Sequence, residues 1–442
     1  MKIELISPAA EESARLTPLA LAMLAALTPP DIEVGFSDDL IQPIDLHDGF
    51  RKADLVAISV MSKTAHRSYE IADACRERGI KVILGGVHPT VLPEEASAHA
   101  DAVVLGEAET LWPRVLADFQ AGGLQKLYRP DGVVDMNLSP IPQRGIFHSH
   151  ARSYIPLDVV QTIRGCPFLC DFCTVHSIYG SRFRSREVEK VLTEVQGLTR
   201  WGIFFADDNV IGNVPYFQKL FTALAPLKLK WIGEASLAGL DDERNLKILQ
   251  KSGCKGIFIG FESLSPDLPT VGKLQNNPER YGEVIRKLHD HGIIAYGAFM
   301  FGFDFDDSSV FERTVEFAIA NKIILAQFSM LTPYPGTRFY SRLLAEGRLL
   351  REKWWLEPNQ EVLAPHFRPK LMEPEKLREG WKWAWKEFYS LSSICKRMDF
   401  WPALYPYLAY LPLNLRQHYF ARHKICDENT RPRAWKENRQ HR

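Results

Sequence analysis

The sequence predicts an α/β protein built from two runs of alternating strand and helix, followed by a mostly helical extension. Three observations carry this reading. Short apolar runs recur between amphipathic stretches at the spacing of repeated βαβ units, first over residues 1–135 and again over 159–330. A proline-rich break without periodicity, MNLSPIPQRGI at 136–146, separates the two runs. Beyond about residue 345 the pattern changes to Trp, Lys and Arg in helical spacing, as in Trp381, Trp383, Trp385 and Phe388. The expected units are 1–140, an open, doubly wound Rossmann-like domain; 150–345, a full or partial βα barrel of the TIM type; and 346–442, a helical cap with a basic tail.

In the first run, strands are expected at 2–7, 32–37, 55–60, 81–85 and 101–106, and helices near 17–27, 66–78 and 110–119. Open parallel sheets bind ligands outside the carboxyl ends of their strands. The informative segments are therefore 8–10, 61–64, 85–90 and 106–109. No G-x-G-x-x-G follows the first strand, so the dinucleotide fingerprint is missing. Gly85 and Gly86 let a backbone approach a ligand closely, or only make a turn.

In the second run, strands are expected at 159–163, 203–206, 229–233, 256–260, 294–301 and 325–330. Helices are expected at 186–199, 215–225, 243–251, 278–291 and 309–321. Chemistry in a parallel barrel sits at the strand C-terminal ends, which here carry residues 205–209, 260–263, 301–305 and 332–336.

The 442 residues hold 54 Lys+Arg against 54 Asp+Glu, a balance that gives no general electrostatic case for nucleic acid as partner. The tail is a local exception, with eight basic against three acidic residues over 415–442, and reads first as a solvated terminus. The apolar stretch 16–27 lacks the positive flank of a signal peptide, and no run of eighteen apolar residues spans a bilayer. A cytoplasmic enzyme is the expectation. The aromatic and proline-rich stretch 401–413 offers a membrane or lipid contact, with packing on the barrel favoured.

Three of the seven cysteines, Cys166, Cys170 and Cys173, form a C-x-x-x-C-x-x-C loop after a strand end. Clustering of this kind in a long chain points to metal rather than disulfides. Three thiolates ligate three irons of a cubane cluster and leave the fourth iron open, as a catalytic site requires. Other readings are a structural zinc completed by His176, or a cluster completed by Cys254.

That loop, with Phe172 before its last cysteine, resembles the signature of the radical S-adenosylmethionine (SAM) superfamily. Residues 204–209 (FFADDN), 260–263 (GFES) and 333–337 (PYPGT), with 85–90 (GGVHPT) and 106–109 (GEAE), are similar to the branch carrying an N-terminal cobalamin-binding domain. The resemblance covers roughly residues 1–345. It implies a 4Fe-4S cluster on Cys166, Cys170 and Cys173, with the open iron chelated by SAM. Reductive cleavage of SAM then gives a 5'-deoxyadenosyl radical, and in cobalamin-dependent relatives the substrate radical takes a methyl group. Phe172, Asp207, Asp208, Asn209, Glu234, Glu262 and Ser263 become candidates for SAM, the aspartates and Asn209 for its amino group. Glu234 and Glu262 suit the ribose hydroxyls or serve as structural carboxylates. Ser62, Thr64, Gly85, Gly86 and His88, with Met61 and Lys63, become candidates for cobalamin, His88 also reading as a loop hydrogen bonder.

The Asp-x-His-x-x-Gly pattern that supplies a lower cobalt ligand is absent. Asp45 to Gly49 is one residue short, so binding without His47 as ligand is expected. The function implied is a radical SAM C-methyltransferase acting on a small-molecule or lipid-like metabolite, fed by a donor such as flavodoxin or ferredoxin. A cyclase, rearrangement or oxidation enzyme with the same domain pair is the alternative, and a non-catalytic Fe-S carrier or sensor a third. A transfer-RNA methylthiotransferase would carry a second cysteine triad, whereas only Cys75 precedes residue 166.

Overall fold

A computed structural model describes residues 1–9, 15–46, 52–357, 364–398 and 404–425. His47, Cys426 and most of the basic tail lie outside the described residues. The first sheet is parallel throughout, with strands β1 (Lys2–Ser7), β2 (Glu33–Asp38), β3 (Leu55–Ser59), β4 (Lys81–Gly85), β5 (Ala102–Val104) and β6 (Leu127–Tyr128) in the order β2-β1-β3-β4-β5-β6. The apolar runs exist because both faces of this sheet are covered. In β4, Val82 and Leu84 belong to one buried cluster while Ile83 belongs to the cluster on the other face. Strand order reverses between β1 and β3, which makes the loops after these two strands the walls of the ligand crevice.

Residues 129–156 contain only 3₁₀ turns before the second sheet begins at β7 (Leu157–Val160). Next comes a small antiparallel hairpin, β8 (Ile163–Arg164) with β9 (Arg184–Ser185), whose loop holds the three cysteines. Strands β10 (Gly202–Phe205), β11 (Trp231–Ala235), β12 (Cys254–Glu262), β13 (Ile294–Phe301) and β14 (Leu325–Met330) then add in sequence order to β7. Six parallel strands in consecutive order, with β7 and β14 as edges, make a partial barrel. Cys254 starts β12 inside the barrel core, away from the cysteine loop's own hairpin.

The extension covers the open edge at β14. Helix Pro374–Phe388 sends two indoles to one strand carbonyl, Trp381 Nε1 and Trp385 Nε1 each donating to Phe328 O at 2.8 Å. The Tyr389 hydroxyl donates to Ala326 O and accepts from Ala326 N. Edge groups that would otherwise template pairing with another chain are thereby satisfied. The described helices thus line the barrel edge, where the sequence suggested a substrate cap. Helix Leu404–Phe420 continues through Pro412, and Asn414 within it bonds the buried Arg397. Among the described residues no helix is long and apolar enough to cross a membrane.

Candidate functional site

The cysteine loop is held at both ends. Gly165 opens it at φ +83°, a conformation open to glycine, and a Cβ there would stand 2.3 Å from Arg182 O. Cys166 N donates to Gly180 O, closing the loop's base. The middle of the loop leans on two other loops of the barrel mouth. Asp171 N donates to Val271 O, Phe339 N donates to Asp171 O, and Arg342 pairs with the Asp171 carboxylate at 2.9 Å. Phe172 packs edge-on against Phe303, which follows β13. Burial pushes all three thiols up, Cys173 to about 12. They become thiolates only when a metal takes the proton's place.

The segments after the barrel strands converge beside this loop, and their polar side chains divide sharply. Asp207 is spent on the protein. Its carboxylate accepts from Thr162 N, Thr162 Oγ1 and Ile163 N at 2.5–2.9 Å, fixing the turn that leads into the cysteines. Asn209 is likewise committed to Ser236, through both its amide nitrogen and its oxygen. Asp208 is not: its buried Oδ2 has no hydrogen-bond partner among the described residues, and burial, with Asp207 and Glu234 beside it, pushes its carboxyl up to about 7. Burial and the neighbouring Glu262 also lift Glu234 to about 7. Glu262, held at φ +65° at the end of β12, pairs with the buried Lys273 at 2.8 Å. Ser263 is buried next to it and its hydroxyl accepts from Ser265 N.

Lys273 carries no sequence signal. It follows Glu262 by eleven residues in an irregular loop, and only the fold brings it to the barrel mouth, where burial lowers its pKa but Glu262 first, and then Cys170 and Cys173, raise it by more. Two further buried polar atoms lack partners among the described residues, Oε1 of Gln275, whose side chain bonds Cys170, and Nδ1 of His176, three residues beyond Cys173. Such orphaned groups are costly unless a ligand meets them. Among the described residues no three His, Cys, Asp or Glu side chains converge to hold one ion. Donors to separate corners of a cubane do not require such convergence, so three thiols on one loop, with unpartnered polar groups beside them, fit an open-site iron-sulfur cluster.

In the first domain, the residues singled out for cobalamin cluster at the crevice but are largely engaged. His88 is buried, one ring nitrogen on Ser62 Oγ and the other on Glu95 Oε1, both at 3.1 Å. Thr64 Oγ1 caps its own turn at Met61. Gly86 takes φ +105°, and a Cβ there would lie 2.8 Å from Val60 O, so its glycine is explained by the turn from β4 into the next helix. Gly85 has ordinary room beside Val104. Met61 is 50% exposed at the crevice, and Lys63 is exposed too.

A corrinoid-type open sheet followed by a partial barrel, with C-x-x-x-C-x-x-C at a strand end, defines a radical SAM enzyme with a cobalamin-binding domain. Family profiles agree: "Radical SAM superfamily" matches residues 160–318, "B12 binding domain" matches 10–116, and a "Domain of unknown function (DUF4070)" matches 337–406. The chain is 34% identical to the bacteriochlorophyllide d C-12(1)-methyltransferase of Chlorobaculum tepidum, covering 86% of this chain and 84% of that enzyme. It is 29% identical to the C-8(2)-methyltransferase of the same organism, covering 84% of this chain and 86% of the relative. The structure of the cobalamin-dependent radical SAM enzyme OxsB with aqua-cobalamin bound superposes with a TM-score of 0.70 at 14% identity, over 100% of this chain and 75% of that one. The chain belongs to the cobalamin-dependent radical SAM methyltransferase family. Its cofactors are a 4Fe-4S cluster, SAM and cobalamin.

Proposed function

We propose that the substrate is a tetrapyrrole of the bacteriochlorophyllide type, methylated on a peripheral carbon. The observation that carries this reading is the 34% identity sustained along 84% of the length of the C-12(1)-methyltransferase. A second bacteriochlorophyllide methylase at 29% identity supports the same class. A near-neutral chain suits an apolar metabolite better than a nucleic acid.

Cys166, Cys170 and Cys173 hold the cluster in this reading. Bound together, the cofactors supply one-electron cleavage of the sulfonium and a transferable methyl group, and the protein supplies position and exclusion of water. Asp208, with its free buried Oδ2, accepts from the methionine ammonium of SAM. Glu234 and Glu262 accept from ribose hydroxyls, with Lys273 offsetting the charge of Glu262. Phe172 and Phe303 close the cluster side against solvent. Asp207 and Asn209 act one step back, by fixing the loops. In the first domain Ser62 and His88 brace each other, Thr64, Gly85 and Gly86 shape the loops, and the exposed Met61 and Lys63 would face the corrinoid, while both ring nitrogens of His88 stay on Ser62 and Glu95. A small flavin or iron-sulfur protein of the cytoplasm supplies the electron.

The test is anaerobic reconstitution with iron, sulfide and cobalamin, followed by SAM, a reductant and bacteriochlorophyllide. A pigment heavier by one methylene, with 5'-deoxyadenosine and S-adenosylhomocysteine in equal amounts, is the expected result. Deoxyadenosine formation without methylated pigment, across several chlorins, would remove the substrate assignment.

A further inference from the structure

The GEAE segment after β5 has no ligand assigned to it, yet it carries a cluster of charge contacts between the two sheets. Glu107 and Glu109 both reach Arg164, the residue two before Cys166, at 2.5 and 2.7 Å. Glu107 also pairs with Arg184 at 2.8 Å. These two arginines are register partners in the β8–β9 hairpin that closes the base of the cysteine loop. Both also grip the far side of that loop. Arg164 lies over the Tyr179 ring, 5.7 Å from its centroid, and Arg184 Nη2 donates to the Tyr179 carbonyl at 3.0 Å. Glu109 accepts in addition from Ser139 in the connecting stretch, and Arg184 donates to Val134 O there.

Arg164 is only 5% exposed, and Glu109 is buried. Two cations and two anions balance, as burial of charge requires, and removing one partner would strand the others. A brace meant only to join two domains needs no particular strand. This one lands on both strands of the hairpin that fixes where the cluster sits, and its acidic half lies at the C-terminal edge of the sheet where the corrinoid binds.

We propose that Glu107 and Glu109, through Arg164 and Arg184, are positioning residues that set the iron-sulfur loop at a fixed distance from the corrinoid domain. The network coordinates radical formation with methyl supply. It rests on the cofactor assignment and is independent of the substrate.

The test uses full-length holoenzyme reconstituted with iron, sulfide and cobalamin, comparing wild type with the double variant Glu107→Gln/Glu109→Gln and the single variants Glu107→Gln and Arg184→Met. Iron and cobalamin contents should stay at wild-type levels. The magnetic coupling between Co(II) and the reduced cluster, read by electron paramagnetic resonance, should weaken. With SAM and dithionite, the ratio of 5'-deoxyadenosine to S-adenosylhomocysteine should rise about tenfold or more, the order expected when reacting groups shift by a fraction of an ångström. A Glu107→Asp variant should move part of the way back relative to Glu107→Gln. If the double variant does not fold, the single variants carry the test, since Arg164 keeps Glu109 in both. Unchanged coupling and an unchanged product ratio in the variants would overturn the proposal. So would a parallel loss of both products together with iron, which marks a merely structural brace.

Discussion

The Trp355 indole, carried beyond the barrel, donates to the Glu95 carboxylate of the first domain at 2.9 Å. The same carboxyl group meets His88 Nε2, Lys353 and the Tyr69 hydroxyl, and Trp354 and Trp355 fill one face of the first domain's core. Burial alone would raise the Glu95 carboxyl, but these donors outweigh it and hold it at about 2. The contribution is therefore complete above the ordinary carboxylate range and fades as pH falls from about 4.5 towards 2. Glu95→Gln should cost about 1–3 kcal/mol at neutral pH, as for a broken hydrogen bond to a charged group. Urea unfolding should show that gap to wild type narrowing in acid.

Asp207 and Asp208 are adjacent and should respond in opposite ways. Asp207→Asn breaks a three-bond buried cap at Thr162 and Ile163 and should lower stability by about 1–3 kcal/mol. Asp208 carries a raised pKa and an unpartnered oxygen, so its charge opposes folding. Asp208→Asn should leave the unfolding midpoint unchanged or higher while weakening SAM binding, as measured by equilibrium dialysis of the reconstituted enzyme.

The contrast shows where sequence reading runs out. Strand positions were legible because parallel strands must be apolar on both faces: β4, β13 and β14 fall on the expected residues. The cysteine loop was legible because its chemistry is packed into eight residues. In 207–209, three adjacent polar residues look equivalent in sequence, and only their partners separate Asp208 from its neighbours. Lys273 and the Arg164–Glu107 pair were invisible for a different reason, since they arise from contacts between loops distant in sequence. The same holds for Trp354 and Trp355, which read as extension residues but complete the core of the first domain.

Replacing Cys166, Cys170 or Cys173 by Ala should drop iron after reconstitution from about four per chain to a residual amount, because each thiolate serves its own iron. The apo proteins should be no less stable than wild type. Their thiols are protonated in buried surroundings, and no disulfide is lost. Iron and sulfide assays paired with thermal unfolding separate loss of ligand from loss of fold.

Gly165→Ala tests whether the hairpin geometry itself builds the cluster site. A residue with a side chain at φ +83° pays about 1–2 kcal/mol for the left-handed backbone. The added Cβ would also press on the Arg182 carbonyl at 2.3 Å, so the two arms of the loop must part. Parting them pulls Arg184 away from Arg164 and loosens the Cys166 N to Gly180 O closure. The apolar cores of both sheets are built from other residues, so the bulk of the fold should survive. The expected outcome is a small fall in unfolding midpoint with a disproportionate loss of iron uptake, whereas normal iron uptake would show that the loop forms its site without the hairpin.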